Sequence, residues 1–212
     1  MQPRPILLAA LALPLALSAS SARAQGTHFL VEPATGLTFS HGLSLEEAVG
    51  LEAGATLAVG GKWKGFPPRF YAYFRFTRSL FGDEEVYVSS RDAHGVVNRA
   101  VSFVTGGLRT VIPLFWRLRL ELEFGGGAAF TENGYRESGL DIRSYDETLG
   151  VLEFGAGLNL RLFRWLSLGL LYNYTLVVEE ERGDLIAHML GEEGSGAERG
   201  WSHLSLTLGF HF

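Results

Sequence analysis

Two polar residues near the end of the sequence, His203 and Ser205, are of the types that perform nucleophilic catalysis. In a hydrolytic triad a histidine accepts the proton of a serine hydroxyl, and a carboxylate orients the histidine. Residues two positions apart share a face of a β-strand, because side chains alternate between its two faces. With a glutamate from a neighbouring strand, the pair has the parts of a triad. The simpler alternative is two small polar side chains that line the inside of the fold. We expect this alternative, and therefore no enzymatic activity.

Arginine and glutamate recur at every second position of several apolar segments. The clearest segment is 117–130, where Arg119, Glu121 and Glu123 alternate with leucine and phenylalanine. Charges enclosed by a narrow barrel must pair or be hydrated, because an unpaired buried charge is costly. The pattern predicts an internal charge network that is either a structural polar core or a gate for ions and small solutes. The predicted network consists of Glu32, Glu52, Arg75, Arg109, Arg119, Glu121, Glu123, Glu153 and Arg161.

Eight segments of the sequence show the two-residue period that positions these groups. Each has roughly ten or more residues, the length that a strand needs to cross a bilayer obliquely. An even number of strands lets the last pair antiparallel with the first, which removes both sheet edges. The predicted strands are 29–40, 49–61, 69–80, 98–111, 117–130, 149–162, 166–178 and 201–212.

The fourth predicted strand is the least regular. Val101 and Phe103 place its apolar face on odd positions, whereas Leu108 places it on even positions. A β-bulge at Gly106 and Gly107 would shift the phase between them. Beyond this predicted bulge, Arg109 points away from the apolar face.

The connections between the predicted strands alternate in length. Short turns are predicted at 62–68, 112–116 and 163–165, and long loops at 81–97, 131–148 and 179–200, with a shorter one at 41–48. A soluble barrel of lipocalin type would turn the small, glycine-rich face towards water, which is unusual for a solvent face. A transmembrane barrel also explains the aromatic residues, as a girdle at the membrane interface. The predicted girdle residues are Trp63, Phe66, Trp116, Trp165, Tyr172 and Tyr174.

The last predicted strand has apolar residues at every second position from Leu204 and ends in Phe210-His211-Phe212. It resembles the closing strand of bacterial outer-membrane β-barrels, in particular the small eight-stranded OmpA/OmpX-type barrels. The resemblance implies that Phe210 and Phe212 are an assembly signal for the barrel-assembly machinery. It also implies that outer-membrane lipid and lipopolysaccharide surround the chain. The predicted fold is all-β: an eight-stranded antiparallel up-and-down transmembrane β-barrel in a Gram-negative-type outer membrane, with periplasmic termini and extracellular long loops.

Outer-membrane lipid A deacylases also carry a His-x-Ser pair on an eight-stranded barrel. In that family the pair faces lipid, further chain follows it, and asparagine follows the serine. Here the pair faces inward by its position in the pattern, and Leu206 follows Ser205. A lipid A-modifying enzyme is therefore only a minor alternative.

Residues 1–24 are predicted to be a cleavable signal peptide, which leaves 25–212 as one barrel domain. Arg4 precedes an apolar run at 6–17, and Ala22-Arg23-Ala24 is a small-x-small cleavage site. Removing Arg4 and Arg23 from the 18 basic residues leaves 16 against 23 acidic residues. A net negative chain argues against nucleic-acid binding, which requires a basic surface. The sequence has no cysteine.

The long predicted loops are acidic, and the segment 179–198 alone has seven carboxylates. Such clusters predict contact with a surface ligand or with divalent cations, which bind oxygen ligands. The segment 184–190 has the pattern of a short helix. We expect no cofactor. The predicted function is a non-enzymatic, structural or surface-interaction role through these loops, and the alternative is a narrow, porin-like channel.

Overall fold

The computed structural model describes residues 25–41, 49–62, 66–88, 93–137, 143–178 and 200–212. Its strands pair in chain order and antiparallel, and they close into a barrel. The up-and-down topology confirms the predicted fold. The strands are β1 (Gln25–His41), β2 (Val49–Lys62), β3 (Arg69–Val88), β4 (Ala93–Pro113), β5 (Leu118–Glu137), β6 (Arg143–Arg161), β7 (Leu166–Val177) and β8 (Gly200–His211). The described residues contain no helix that is long and apolar enough to cross a membrane.

The seam between β1 and β8 closes the barrel. Backbone nitrogen and oxygen of Phe29 and Phe212 exchange hydrogen bonds of 3.1 and 2.9 Å, and pairing extends to His41 and Gly200 at the other end. Pro33 lies where the β1–β8 register skips two residues. Because proline has no N–H to donate, this gap is where the strand tolerates it.

The outward face of every strand exposes large apolar side chains. Leu206 is 55% exposed, and Leu170 beside it is 48% exposed. An apolar surface that encircles a protein is incompatible with water and requires lipid. This apolar belt includes Leu37, Leu51, Leu57, Phe74, Phe76, Leu108, Leu122, Phe124, Phe154, Leu158, Leu168, Leu170, Leu204, Leu206 and Leu208.

The two ends of the barrel differ. One end, here the short-turn end, carries the connections 63–68, 114–117 and 162–165 together with residues 25 and 212. Three predicted girdle residues are strongly exposed there, namely Phe66, Trp116 and Trp165. Trp165 stacks on Phe210 with ring centroids 6.5 Å apart, and Phe212 is 75% exposed. The other end is the loop end.

The remaining predicted girdle residues lie elsewhere. Tyr172 and Tyr174 are on the outward face of β7, nearer the loop end than Trp165. Trp63 lies outside the described residues.

The second and third predicted long loops are mostly strand, so their predicted extents are wrong. β3 and β4 stay paired up to Val88 and Ala93, and β5 and β6 up to Tyr135 and Arg143. Strand pairing satisfies the backbone N–H and C=O groups whether or not one face is apolar. A strand can therefore extend beyond the residues that show the alternation of apolar and polar side chains. The fourth predicted loop, 179–200, and its predicted helix, 184–190, lie outside the described residues except for Gly200.

These extensions raise one side of the barrel wall. The pairing of β2 with β3 ends at Phe81, and the pairing of β7 with β6 ends at Val151. Beyond these limits and a hydrogen bond of 2.9 Å from Val178 N to Gly150 O, the four strands pair only with one another among the described residues. We call the segments 81–88, 93–99, 131–137 and 143–149 the raised sheet.

The bulge predicted in the fourth strand is wrong. Between Gly95 and Pro113, β4 pairs with β5 without a register shift, and Val101 and Phe103 face the interior, not the lipid. Alternation cannot assign a face where both faces carry apolar residues. Gly107 has a different role, because a Cβ there would lie 2.2 Å from the Phe124 carbonyl oxygen. Glycine permits this close approach of the two strands.

Candidate functional site

The barrel interior is filled in layers, and its central layer is a set of ion pairs. Arg75 Nη1 lies 2.5 Å from Glu153 Oε1, and Arg75 Nη2 lies 2.7 Å from Glu123 Oε2. Glu123 also accepts from Arg109 Nε at 2.5 Å. Arg109 Nη1 pairs with Glu32 and lies 3.8 Å from Glu121 Oε2. Glu123 therefore connects the two arginines into one network, the ion-pair layer.

Neutral side chains complete the ion-pair layer. The Tyr73 ring lies 5.2 Å from the guanidinium carbon of Arg75 and 6.0 Å from that of Arg109. Its hydroxyl donates to Glu153 Oε1 at 3.1 Å, and Thr105 donates to Glu153 Oε2 at 2.9 Å. Since each arginine is at most 5% exposed, these contacts replace water almost completely. A buried polar network with this many hydrogen bonds is rigid, although Glu32 Oε1 has no hydrogen-bond partner among the described residues.

The next layer towards the loop end is centred on Glu52. The Ser205 hydroxyl donates to Glu52 Oε1 at 2.7 Å, Thr38 donates to Glu52 Oε2 at 2.9 Å, and His203 Nδ1 contacts the same carboxylate. Thr175 contacts the other ring nitrogen of His203 at 3.3 Å. The carboxylate thus stands between serine and histidine, whereas a triad needs the histidine between serine and carboxylate.

An apolar layer closes the interior on the loop-end side of Glu52. The Phe103 ring meets the Trp201 ring edge-on at 5.0 Å and the His203 ring at 4.8 Å. The sequence interpretation missed this layer, although Trp201 shares the inward parity of His203. The side chains of the apolar layer are Phe81, Val101, Phe103, Ala129, Leu149, Val151 and Trp201, all at most 7% exposed.

A small cavity lies between the Glu52 layer and the ion-pair layer. Glu52, Arg75, Glu153 and His203 line it together with Phe103, Leu171 and several smaller side chains. It has room for about one water molecule. Among the described residues, this space between the two layers is no larger than about one water molecule.

Two of the nine residues predicted for the network lie apart from it. Arg119 and Arg161 are at the short-turn end of the interior, where Arg69 also lies. His28 and His211 complete this group, and we call the five residues the basic mouth. Of the other predicted residues, Glu32, Arg75, Arg109, Glu121, Glu123 and Glu153 form the ion-pair layer, and Glu52 forms its own layer.

Two polar clusters interrupt the outward face towards the loop end. The hydroxyl of Ser202 lies 2.7 Å from His41 Nε2 and 3.0 Å from the Tyr172 hydroxyl, and Ser202 is 7% exposed. On the opposite side, Arg78 Nη2 lies 2.7 Å from Glu132 Oε2, with both side chains about half exposed. The first cluster places a histidine–serine contact on the outer face, but its hydroxyl is covered.

No group of three or more histidine and acidic side chains within the described part of the chain is arranged to hold a metal ion.

Comparison with solved structures finds outer-membrane β-barrels. A major outer membrane protein of Thermus thermophilus shares 16% identity; the match covers 89% of this chain and 100% of that one, with a TM-score of 0.57. Neisserial surface protein A shares 13% identity over 89% and 97% of the two chains, with a TM-score of 0.49. Ail of Yersinia pestis shares 16% over 88% and 97%, with a TM-score of 0.47.

No protein-family model and no curated protein matches the sequence. The closed topology, the apolar belt and the likeness to the Thermus protein define the class. The chain has the fold of the small eight-stranded outer-membrane β-barrels, which confirms the predicted resemblance.

Proposed function

We propose that this chain is a non-enzymatic surface protein of the outer membrane that contacts its partners through the raised sheet. The observation that carries the proposal is the continued pairing of β3 to β6 beyond the last residues paired with β2 and β7. A sheet whose outer strands pair with no other described residue at this height can offer its two faces and its edges to a partner. In this proposal the loop end is extracellular, and the short-turn end is periplasmic.

The filled interior supports a function outside the lumen. The ion-pair layer and the apolar layer occupy successive levels of the interior, and their side chains are almost completely buried. No histidine–serine pair among the described residues has the geometry of a catalytic pair that is open to substrate. Ser205 bonds Glu52 and not His203, Ser202 is buried beside Tyr172, and Ser167, which contacts His211, is buried. In this proposal, all three pairs are structural.

The charge of the raised sheet indicates the kind of partner. Several acidic residues predicted to lie in loops belong to its strands instead, and the exposed Asp83 is the first of them along the chain. The segments of the raised sheet have seven acidic residues against three arginines, Arg99, Arg136 and Arg143. A net negative charge attracts cationic partners and divalent cations, which can bridge to the phosphates of lipopolysaccharide. The acidic residues in the strands of the raised sheet are Asp83, Glu84, Glu85, Glu132, Glu137, Asp146 and Glu147.

The exposure of the raised sheet on intact cells tests the proposal. Because the chain lacks cysteine, one substitution creates a unique labelling site. Gly82→Cys is well suited, since a Cβ there meets no atom within 4 Å. A membrane-impermeant maleimide is expected to label Gly82→Cys on intact cells, and the matched control Arg164→Cys at the short-turn end only after lysis. The reverse pattern would contradict the proposed orientation and remove the surface role.

A second experiment tests the charge of the raised sheet. Cells displaying the chain are expected to bind fluorescent poly-lysine more strongly than cells without it. The triple variant Asp83→Asn, Glu84→Gln and Glu85→Gln should lose part of this binding, with the loss largest at low salt, where screening is weakest. Equal binding by the variant and the unmodified chain at every salt concentration would argue against an electrostatic contact.

A narrow channel is the second candidate, and the small cavity beside Glu52, with charged side chains in its wall, favours it. Conduction would require the ion pairs of Arg75 and Arg109 to rearrange and the Phe103–Trp201 contact to open. Each rearrangement exposes buried charge or apolar surface, so the closed state is favoured. The conductance experiment in the Discussion distinguishes the two functions.

A further inference from the structure

The basic mouth gathers positive charge at the short-turn end of the interior. Arg69, Arg119 and Arg161 are half-buried on the inward faces of β3, β5 and β6. Arg119 pairs with Asn159, which precedes Arg161 by two residues on the same face of β6, and Arg69 begins β3 at this end. His211 pairs with Leu30, which follows His28 by two residues on the same face of β1, so both imidazoles border the same space. Five cationic or basic groups, from five different strands, therefore converge on one opening.

The ion pairs of the barrel do not compensate this charge. Those formed among the described residues use Arg75, Arg78, Arg109 and His203, and none includes a residue of the basic mouth. Glu121 acts on Arg119 electrostatically, but Glu121 is shared with Arg109. Like charges that are partly shielded from water repel one another, and a bound anion would offset this repulsion.

Hydrogen bonds to the neighbouring turn and strand fix part of the mouth in place. Arg161 Nε donates to the carbonyl oxygen of Phe163 at 3.1 Å, and its Nη2 donates to the carbonyl oxygen of Arg164. His211 Nε2 lies 2.9 Å from the Ser167 hydroxyl. Because these side chains are already oriented, a ligand would lose little of their freedom on binding. Guanidinium groups bind phosphate oxygens with paired N–H donors, and several of them favour a multiply charged anion.

We propose that the basic mouth is a binding site for a phosphate-class anion, a ligand that carries two or more negative charges on phosphate oxygens. If the short-turn end is periplasmic, as in the proposed function, the source is either a soluble phosphorylated molecule or the headgroup of an inner-leaflet phospholipid. The site itself depends only on the residues of the mouth and is independent of the raised sheet.

Calorimetric titration of inorganic pyrophosphate into the folded chain in a non-ionic detergent tests this site. Saturable binding at one site is expected, and it should weaken as salt increases. Arg119→Gln and Arg161→Gln are each expected to weaken binding by about tenfold, the effect of losing one charge-assisted hydrogen bond. Arg164→Gln is the matched control, because Arg164 is a cation at the same end of the barrel but is exposed on a turn. This variant should bind pyrophosphate as the unmodified chain does.

Absence of saturable pyrophosphate binding, or equal weakening by Arg164→Gln, would overturn the proposal. Heat-dependent gel mobility checks that each variant is folded, and Arg69→Gln replaces either arginine variant that is not. Competition then distinguishes the two sources. Displacement of pyrophosphate by detergent micelles that contain cardiolipin, a phospholipid with two charged phosphates, but not by micelles that contain phosphatidylcholine, indicates a lipid headgroup. Pyrophosphate binding that cardiolipin leaves unchanged indicates a soluble ligand.

Discussion

Replacing Arg109 by methionine is expected to lower the free energy of unfolding of the barrel by about 3–5 kcal/mol, the usual effect of removing one partner of a buried ion pair. Arg109 is 1% exposed, and its guanidinium group forms ion pairs with Glu32, Glu121 and Glu123. Without it, Glu32 and Glu121 would lose the arginine with which they pair, and Glu123 would share Arg75 with Glu153. Methionine keeps a similar side-chain length, so the loss would come from charge and hydrogen bonding. Denaturant unfolding in lipid vesicles, followed by tryptophan fluorescence, measures the change.

Arg78→Met is the control for this prediction. Arg78 also pairs with a glutamate at 2.7 Å, but the pair is on the outer surface and about half exposed. An exposed ion pair contributes about 0–1 kcal/mol, so this variant should unfold almost as the unmodified chain does. Adding Glu32→Gln to Arg109→Met should restore part of the lost stability, because it removes one of the stranded charges. Equal effects of the two arginine variants would show that the ion-pair layer does not hold the interior together.

Replacing Leu206 by arginine is the second large expected effect. Leu206 is in the middle of β8, faces outward, and pairs with Leu170 and Thr35. In a bilayer, arginine at this depth is expected to cost about 2–4 kcal/mol of folding free energy, because its charge would lie in hydrocarbon. Unfolding of Leu206→Arg in lipid vesicles, compared with the unmodified chain, measures this cost.

Val178→Arg provides the matched control, because Val178 has the same exposure as Leu206, 55%, but follows β7 at the loop end. Near the interface the same substitution should cost about 0–1 kcal/mol. In a water-soluble barrel the two variants would behave alike, since both side chains would reach solvent. A larger loss of folding free energy for Leu206→Arg than for Val178→Arg is therefore expected only if the belt spans a membrane. Equal losses would contradict a membrane-spanning belt.

Most inward-facing residues could be predicted from alternation alone. Glu32, Glu52, Arg75 and Glu153 lie in strands whose central apolar residues mostly occupy one parity, so the other parity identified the interior. The fourth strand failed this test, because Val101 and Phe103 are apolar and still face inward. Their partners in the apolar layer come from other strands, and a single-strand pattern does not show these contacts.

The height of a residue along the barrel was not predictable in the same way. Alternation specifies a face, whereas the level depends on strand tilt and stagger around the barrel. For this reason Arg119 and Arg161 were predicted to join the network of Arg75 and Arg109, and the structure places them at the short-turn end. The raised sheet was missed for a different reason. The pairing of its strands depends on backbone hydrogen bonds, and these leave no alternation of apolar and polar side chains in the sequence.

Single-channel recording in a planar bilayer is the most direct test of the central claim, that the interior is closed and that the function lies at the surface. The unmodified chain, with its folded state verified by heat-dependent gel mobility, is expected to give no discrete conductance steps. The double variant Phe103→Ala and Trp201→Ala removes two rings of the apolar layer that contact each other. It is expected to conduct ions more than the unmodified chain does, and it serves as the positive comparison. Discrete, reproducible steps from the unmodified chain would contradict the closed interior and establish the channel function in its place.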